Sequence, residues 1–253
     1  DNGSNNKEEI QSGIQNFNTD KILYIDLHKN KGIAAALNVI VESTESCGVK
    51  WVLTLDQDTV CKDDIIDKYR PYLSMKNVGQ FTCLYQDRNF IEDEYKNEGS
   101  EFGNLKEVPW CITSAALLNV EAWKKAGKFD ESLFIDQVDY DMCLTMREKG
   151  YYIYQVGFVG FVHEIGQGHI IKVGSWKIKT WNHSPFRRYY GTRNAIIVAK
   201  KHNEINMMRA ILGAVKHIVI IFVFENDKWN KLSAGVKGLR DGFCIAWNRE
   251  RGM

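Results

Sequence analysis

The feature that most constrains this chain is an apolar run, Trp51 to Leu55 (WVLTL), that stops abruptly at Asp56-Gln57-Asp58. A short apolar run rich in β-formers and bounded by polar residues reads as a buried strand. It stands within an alternation. Lys21 to Leu27 (KILYIDL) is a second strand-like run, and Asn30-Lys31-Gly32 then turns the chain into a helix. There Ile33, Leu37, Ile40 and Val41 recur at helical spacing, and Cys47-Gly48 closes the element. Asp63 to Leu73 reads as helix and Gly79 to Leu84 as strand. Strands and helices in this alternation predict an α/β fold with a mostly parallel, Rossmann-like sheet flanked by helices. Residues 86–107 read as a polar loop. Val108 to Leu118 re-enters the core, Glu121 to Gly127 and Val138 to Lys149 read as helices, and Tyr151 to Val156 as a strand. The chain after Ser184 reads as helical, which divides it into an α/β unit, 1–183, and a helical region, 184–253. Asp1-Asn2-Gly3-Ser4 has the make-up of a turn that follows a strand, so one or more strands are expected upstream of it.

A formal net charge of +1 gives no electrostatic case for nucleic acid as the natural partner. Six cysteines with no pair at metal-ligand spacing read as reduced thiols of a cytoplasmic protein. The most apolar stretch, Ala210 to Phe224, falls short of the roughly 20 residues of a membrane span and is interrupted by Lys216 and His217. It reads as a helix that is buried or lies on a surface, either the inner face of the cell membrane or a second copy of the chain.

Four clusters carry the chemistry. Ligands of open α/β sheets gather at the carboxyl ends of strands, where Asp56 and Asp58 stand. Two carboxylates there suit a hard cation carrying a diphosphate, or else simply cap the next helix. In Phe134-Ile135-Asp136-Gln137-Val138-Asp139-Tyr140-Asp141, three acids open a helix. Asp136 is expected to cap that helix and point into the cleft as a general base, with Asp139 as the alternative, although helix-dipole stabilisation alone could account for such acids. His163 closes an apolar strand before Gly166 and can offer an imidazole to a cation. Finally, residues 165–203 hold eight Lys or Arg and no acid, interleaved with Trp176, Trp181, Phe186, Tyr189 and Tyr190. Such a segment suits a diphosphate, an anionic membrane or single-stranded nucleic acid, and Arg187, Arg188 and Arg193 present forks that match phosphate oxygens.

The order of these motifs resembles family 2 glycosyltransferases of the GT-A fold, over nearly the whole chain. Asp1-Asn2-Gly3-Ser4, Asn30-Lys31-Gly32, Leu55-Asp56-Gln57-Asp58-Thr59, Phe134 to Asp139 and His163 follow the family's succession. Ser184 to Asn194 and Lys237 to Gly242 are similar to the bacterial rhamnosyltransferase branch. The resemblance implies an inverting transferase using Mg²⁺ or Mn²⁺ held by Asp58 and His163. It assigns donor binding to Asp1, Asn30, Lys31, Gly32, Asp56, Asp58, Tyr190 and Arg193, acceptor binding to Trp110 and Ser114, and the base to Asp136 or Asp139. The donor it implies is dTDP-L-rhamnose, with a UDP-hexose or UDP-N-acetylhexosamine as the alternative, and the acceptor a glycan or lipid-linked glycan. A non-catalytic protein that binds glycan or nucleic acid through the basic, aromatic segment is the reading from a different class.

Overall fold

The computed structural model describes residues 1–17, 19–45, 47–62, 64–87, 104–163, 169–173, 176–180 and 182–245, with backbone alone for 87, 163, 169–173 and 176–180. Its centre is a six-stranded sheet in the order β1 (Trp51–Thr54), β5 (Ala116–Asn119), β3 (Val78–Asp87), β6 (Tyr152–His163), β2 (Val60–Cys61), with β4 (Leu105–Glu107) also on β6. The sheet is mixed rather than mostly parallel. Only β3 and β6 run parallel among the described pairings, while β1/β5, β3/β5, β2/β6 and β4/β6 are antiparallel. Strand β5 makes two of these antiparallel pairings, because it enters between β1 and β3 against both, and the short strands β2 and β4 make the other two on β6.

All four residues of β5 are buried, since the sheet is covered on both faces. Ala116 and Leu118 point into one core with Trp123, Leu37 and Met142, from α4 (Val120–Lys125), α2 (Ile33–Glu45) and α5 (Val138–Glu148). Leu117 points the other way, onto Phe81 and Tyr69, the latter on α3 (Ile65–Tyr69). Lys21 to Leu27 does not become a strand. Its main-chain bonds run to Asp1, through Ile25 O and Leu27 N, and otherwise only to the neighbouring Thr19 and Lys29, and no ladder forms among the described residues. Helix α1 (Lys7–Gln15) and the hairpin β7 (His169–Val173) with β8 (Trp176–Thr180) were not foreseen. All six cysteines are free thiols.

Helices α6 (Pro185–Lys201), α7 (Met207–Phe224) and α8 (Lys228–Cys244) complete the chain. Ser184 caps α6 by accepting from the Arg187 N–H, with Pro185 in the first turn where its missing N–H costs nothing. Glycines let α8 press onto α6. A Cβ at Gly238 would lie 2.3 Å from both Thr192 Oγ1 and Tyr189 O, and one at Gly242 2.7 Å from Arg193 O. Backbone cannot give way as a flexible side chain can. Gly238→Ala is therefore expected to cost about 2 kcal/mol and to lower the Tm by roughly 4–8 °C, measured by thermal unfolding.

Candidate active site

The site begins with a short loop, Ser132 to Gln137, which the chain cannot hold unaided. Phe134, Asp136 and Gln137 all have left-handed backbones, with φ of 63°, 63° and 66°. Such conformations are costly for residues other than glycine and persist only where surroundings impose them. Two sides do so. From α6, Asn194 Nδ2 donates to the carbonyls of Leu133, Ile135 and Asp136 at 2.8, 2.8 and 2.9 Å. From α2, the Ile33 N–H donates to Phe134 O at 2.7 Å. Gly32 has φ +89°, and a Cβ there would meet Phe134 O at 2.6 Å, so only glycine fits between the two segments.

The N-terminal turn and the residues before α2 join this scaffold. Asn30 Oδ1 accepts from the Gly32 N–H, and Asn2 Oδ1 from the Lys31 N–H. Asn2 Nδ2 donates in turn to Gly32 O. Asp1 uses one carboxylate oxygen on the Ser4 N–H and the other on the Tyr24 hydroxyl. The turn from Asp1 to Gly3 thus lies against Asn30 to Gly32, which lies against Phe134.

Asp56 and Asp58 sit on the turn after β1, where Thr59 N donates to Asp56 O. Antiparallel pairing with β5 brings that turn beside residues 113–115. Ser114 is fully buried, 2.7 Å from Thr59 Oγ1 and within reach of the Asp56 N–H, so its hydroxyl holds the acidic turn in place. Trp110 is half exposed and meets the Tyr140 ring edge-on, next to Asp139.

Helix α5 is capped differently from expectation. Gln137 occupies the cap position without a side-chain bond, and Asp136 turns away to accept from Arg187 Nη2 at 2.9 Å. One residue into the helix, Asp139 accepts from the Tyr140 N–H. Burial, and then the charges of Asp136 and Asp56, push the Asp139 carboxyl up to about 6. The three acids from β1 and α5 therefore sense one another. Asp141, third in the run, faces inward to Lys201 and His202 at the end of α6. Burial pulls the His202 ring down, but its bonds to Asp141 and Glu148 outweigh that and raise it.

Tyr190 lies under Phe134, with ring centroids 5.1 Å apart, and Arg193 covers its other neighbourhood at 4.6 Å from the ring. Arg193 was expected to reach phosphate. Instead it is buried and donates to Ser132 O, Leu133 O and Asn194 Oδ1. Sequence reasoning had no signal for Asn194 or Ser114 in these supporting roles, since their partners lie about 60 residues away. The His163 side chain falls outside the described residues, as do the side chains of the β7–β8 hairpin. Among the described residues no group of three His, Cys, Asp or Glu side chains is arranged to hold a metal.

The fold is that of GT-A glycosyltransferases. Among solved structures, the Pyrobaculum calidifontis mannosyltransferase with GDP-Man and Mn²⁺ matches 98% of the chain at TM-score 0.55 and 13% identity. S. aureus TarS 1–349 with UDP-GlcNAc matches 95% at 0.56 and 12%, and GalNAc-T7 with UDP, GalNAc and Mn²⁺ matches 94% at 0.55 and 10%. The chain spans 66%, 69% and 47% of those three structures. Residues 1–113 match the family described as glycosyl transferase family 2. The dTDP-rhamnosyl transferase RfbF of Shigella flexneri is 27% identical over 236 residues, covering 88% of this chain and 79% of the relative. The N-terminal segment is thus that of a family 2 glycosyltransferase, and the chain as a whole resembles bacterial rhamnosyltransferases.

The raised Asp139 carboxyl has a thermodynamic consequence. The folded protein holds that proton more tightly than the unfolded chain, so stability is undiminished below about pH 3.8 and falls as pH rises from there through about 6. Asp139→Asn should leave the Tm unchanged at pH 3.5 and raise it at pH 7.5, by on the order of 1–3 kcal/mol of stability.

Proposed function

We propose that this protein is an inverting glycosyltransferase that moves L-rhamnose from dTDP-L-rhamnose to a hydroxyl of a glycan or lipid-linked glycan. The observation that carries the reading is the gathering of Asp56, Asp136 and Asp139 at one site of a GT-A fold, where the Asp139 carboxyl is pushed up to about 6. A general base works best with a pKa near the operating pH. Asp136, the first-named candidate, is occupied by Arg187. Asp139 is therefore the base, and Asp136 positions.

In this reading the nucleoside diphosphate lies along Asp1, Asn30, Lys31, Gly32 and the Asp56–Asp58 turn. Hard carboxylate oxygens at that turn fit Mg²⁺ or Mn²⁺, which takes one or two protein carboxylates and fills its shell with phosphates and water. Asp58 would hold the ion, with His163 as the second ligand, and the ion when bound neutralises charge on the leaving diphosphate. The acceptor sugar stacks on Trp110, and Ser114 keeps the acidic turn in register. Asp139 takes the proton of the acceptor hydroxyl. Its oxygen attacks the anomeric carbon as the bond to the phosphate oxygen breaks on the opposite face, which inverts configuration. The rhamnosyl donor is favoured by the relative's printed name, and the UDP sugars of the structural neighbours supply the competing donors.

Asp139→Asn should lower kcat by about 10²–10⁴-fold while donor Kd stays within twofold, measured with dTDP-rhamnose and several UDP-sugars in Mn²⁺. Full turnover in that variant, paired with loss in Asp136→Asn, would return the role to Asp136.

The same reading includes a peripheral site at the cytoplasmic membrane. Helix α7 is long and apolar enough to cross a bilayer, with a mean hydropathy of 2.0, yet only 11% of it is buried. Met208, Leu212, Val219 and Phe222 are exposed, with Trp229 of α8 packed edge-on against Phe222. Lys237 and Arg240 rim a groove of about 550 Å³ on α8, lined also by Trp229 and Val236. An apolar face rimmed by cations suits an anionic bilayer surface. The full chain should float with vesicles containing phosphatidylglycerol, and Leu212→Glu with Val219→Glu should reduce the floated fraction about tenfold. Concentration-dependent dimerisation without flotation would assign the face to a second copy.

A further inference from the structure

At the start of α6, two arginines each make one described side-chain hydrogen bond. Arg187 donates through Nη2 to Asp136 Oδ1 at 2.9 Å, and Arg188 through Nη2 to Glu225 Oε1 at 2.5 Å. The Nε atoms of both are buried without a hydrogen-bond partner among the described residues. Nε and Nη2 form one edge of a guanidinium and together match two oxygens of a single anion. A buried N–H left unpaired costs about 1–3 kcal/mol, and two such atoms on adjacent residues call for an explanation.

A third cation packs beside them. Lys231, itself buried, shares Glu225 with Arg188 and reaches Asn182. Three cations thus face two carboxylates. His183 adds no further charge, because burial, with Arg187 and Arg188 nearby, holds it down to about 4.

We infer that Arg187 and Arg188 form a diphosphate-binding subsite beside Asp136, and that Asp136 holds Arg187 until the anion arrives. Arg188 is fixed by Glu225, whereas the Arg187 side chain is 38% exposed and free to turn from one oxygen of Asp136 toward the incoming phosphates. The inference rests on the glycosyltransferase reading, which supplies two diphosphates: that of the donor nucleotide and that of a lipid-linked acceptor. Either presents closely spaced oxygens of the right charge. The subsite differs from the Asp56–Asp58 turn in that it grips phosphate directly, through guanidinium.

The test is calorimetric titration of the full chain, without divalent metal, using inorganic pyrophosphate, dTDP and geranyl diphosphate. Arg187→Gln should weaken pyrophosphate binding tenfold or more. Arg187→Lys, which keeps the charge and loses the fork, should weaken it several-fold. Asp136→Asn should tighten it several-fold by releasing Arg187. If Arg187→Gln weakens dTDP alongside pyrophosphate, the subsite serves the donor; if it weakens geranyl diphosphate instead, it serves the acceptor. A pyrophosphate Kd that stays within twofold in Arg187→Gln, or that weakens in Asp136→Asn, overturns the inference. Arg187 is part-exposed, so its variants are expected to fold, which circular dichroism checks. A wild type that transfers sugar while its pyrophosphate affinity ignores Arg187 sinks the subsite alone. A wild type that binds pyrophosphate through Arg187 but transfers no sugar sinks the glycosyltransferase reading alone.

Discussion

The site depends on one carboxamide. Asn194 donates to three carbonyls of the Leu133–Asp136 segment and accepts from Arg193, all in a buried setting. Without those bonds the left-handed residues Phe134, Asp136 and Gln137 would be held only from the α2 side and by Arg193, and the carbonyls of Ile135 and Asp136 would lose their donor. Everything nearby takes its position from that loop: Gly32 and the N-terminus of α2 press on Phe134, while Asp136 and Asp139 follow it into α5. The Asp1–Gly3 turn and the acids of α5 are therefore coupled through hydrogen bonds between side-chain amides and main-chain groups.

This arrangement makes helix α6 part of the scaffold of the candidate site. Its first turns bring Arg187 and Arg188 to the cleft, its middle supplies Arg193 and Asn194, and its end anchors α5 through Lys201 and His202 on Asp141. Helix α8 then clamps α6 from behind, through the close approach at Gly238 and Gly242 and the bond from Thr192 Oγ1 to Gly235 O. A helix held so tightly from both sides can keep a strained loop rigid, as a pre-organised site requires. The outward face of α7 takes no part in this packing, which leaves it free for contact with a surface.

Much of the fold was legible locally. Helix α2, strands β1, β3 and β6 and helices α4 and α5 fall where apolar periodicity places them, because each buries a face whose spacing is written in consecutive residues. Strand direction was not legible. Alternating strands and helices suggested parallel pairing, yet β5 inserts antiparallel between β1 and β3, and nothing in the sequence of either neighbour encodes which strand will lie beside it. Lys21 to Leu27 has the composition of a strand and lacks the ladder, since a strand exists only where a partner's backbone meets it.

The sequence by itself determined that acids would close a buried strand and open a helix, that Asn30-Lys31-Gly32 would turn the chain into a helix, and that basic residues would gather at the start of the last helical region. These follow from residue type and spacing alone. Only the tertiary structure decided which acid stays unpaired, which arginine turns inward and which serine props the acidic turn. A carboxyl's proton affinity is set by burial and by charges a few ångströms away, and for Asp139 those charges include Asp56, more than 80 residues distant along the chain.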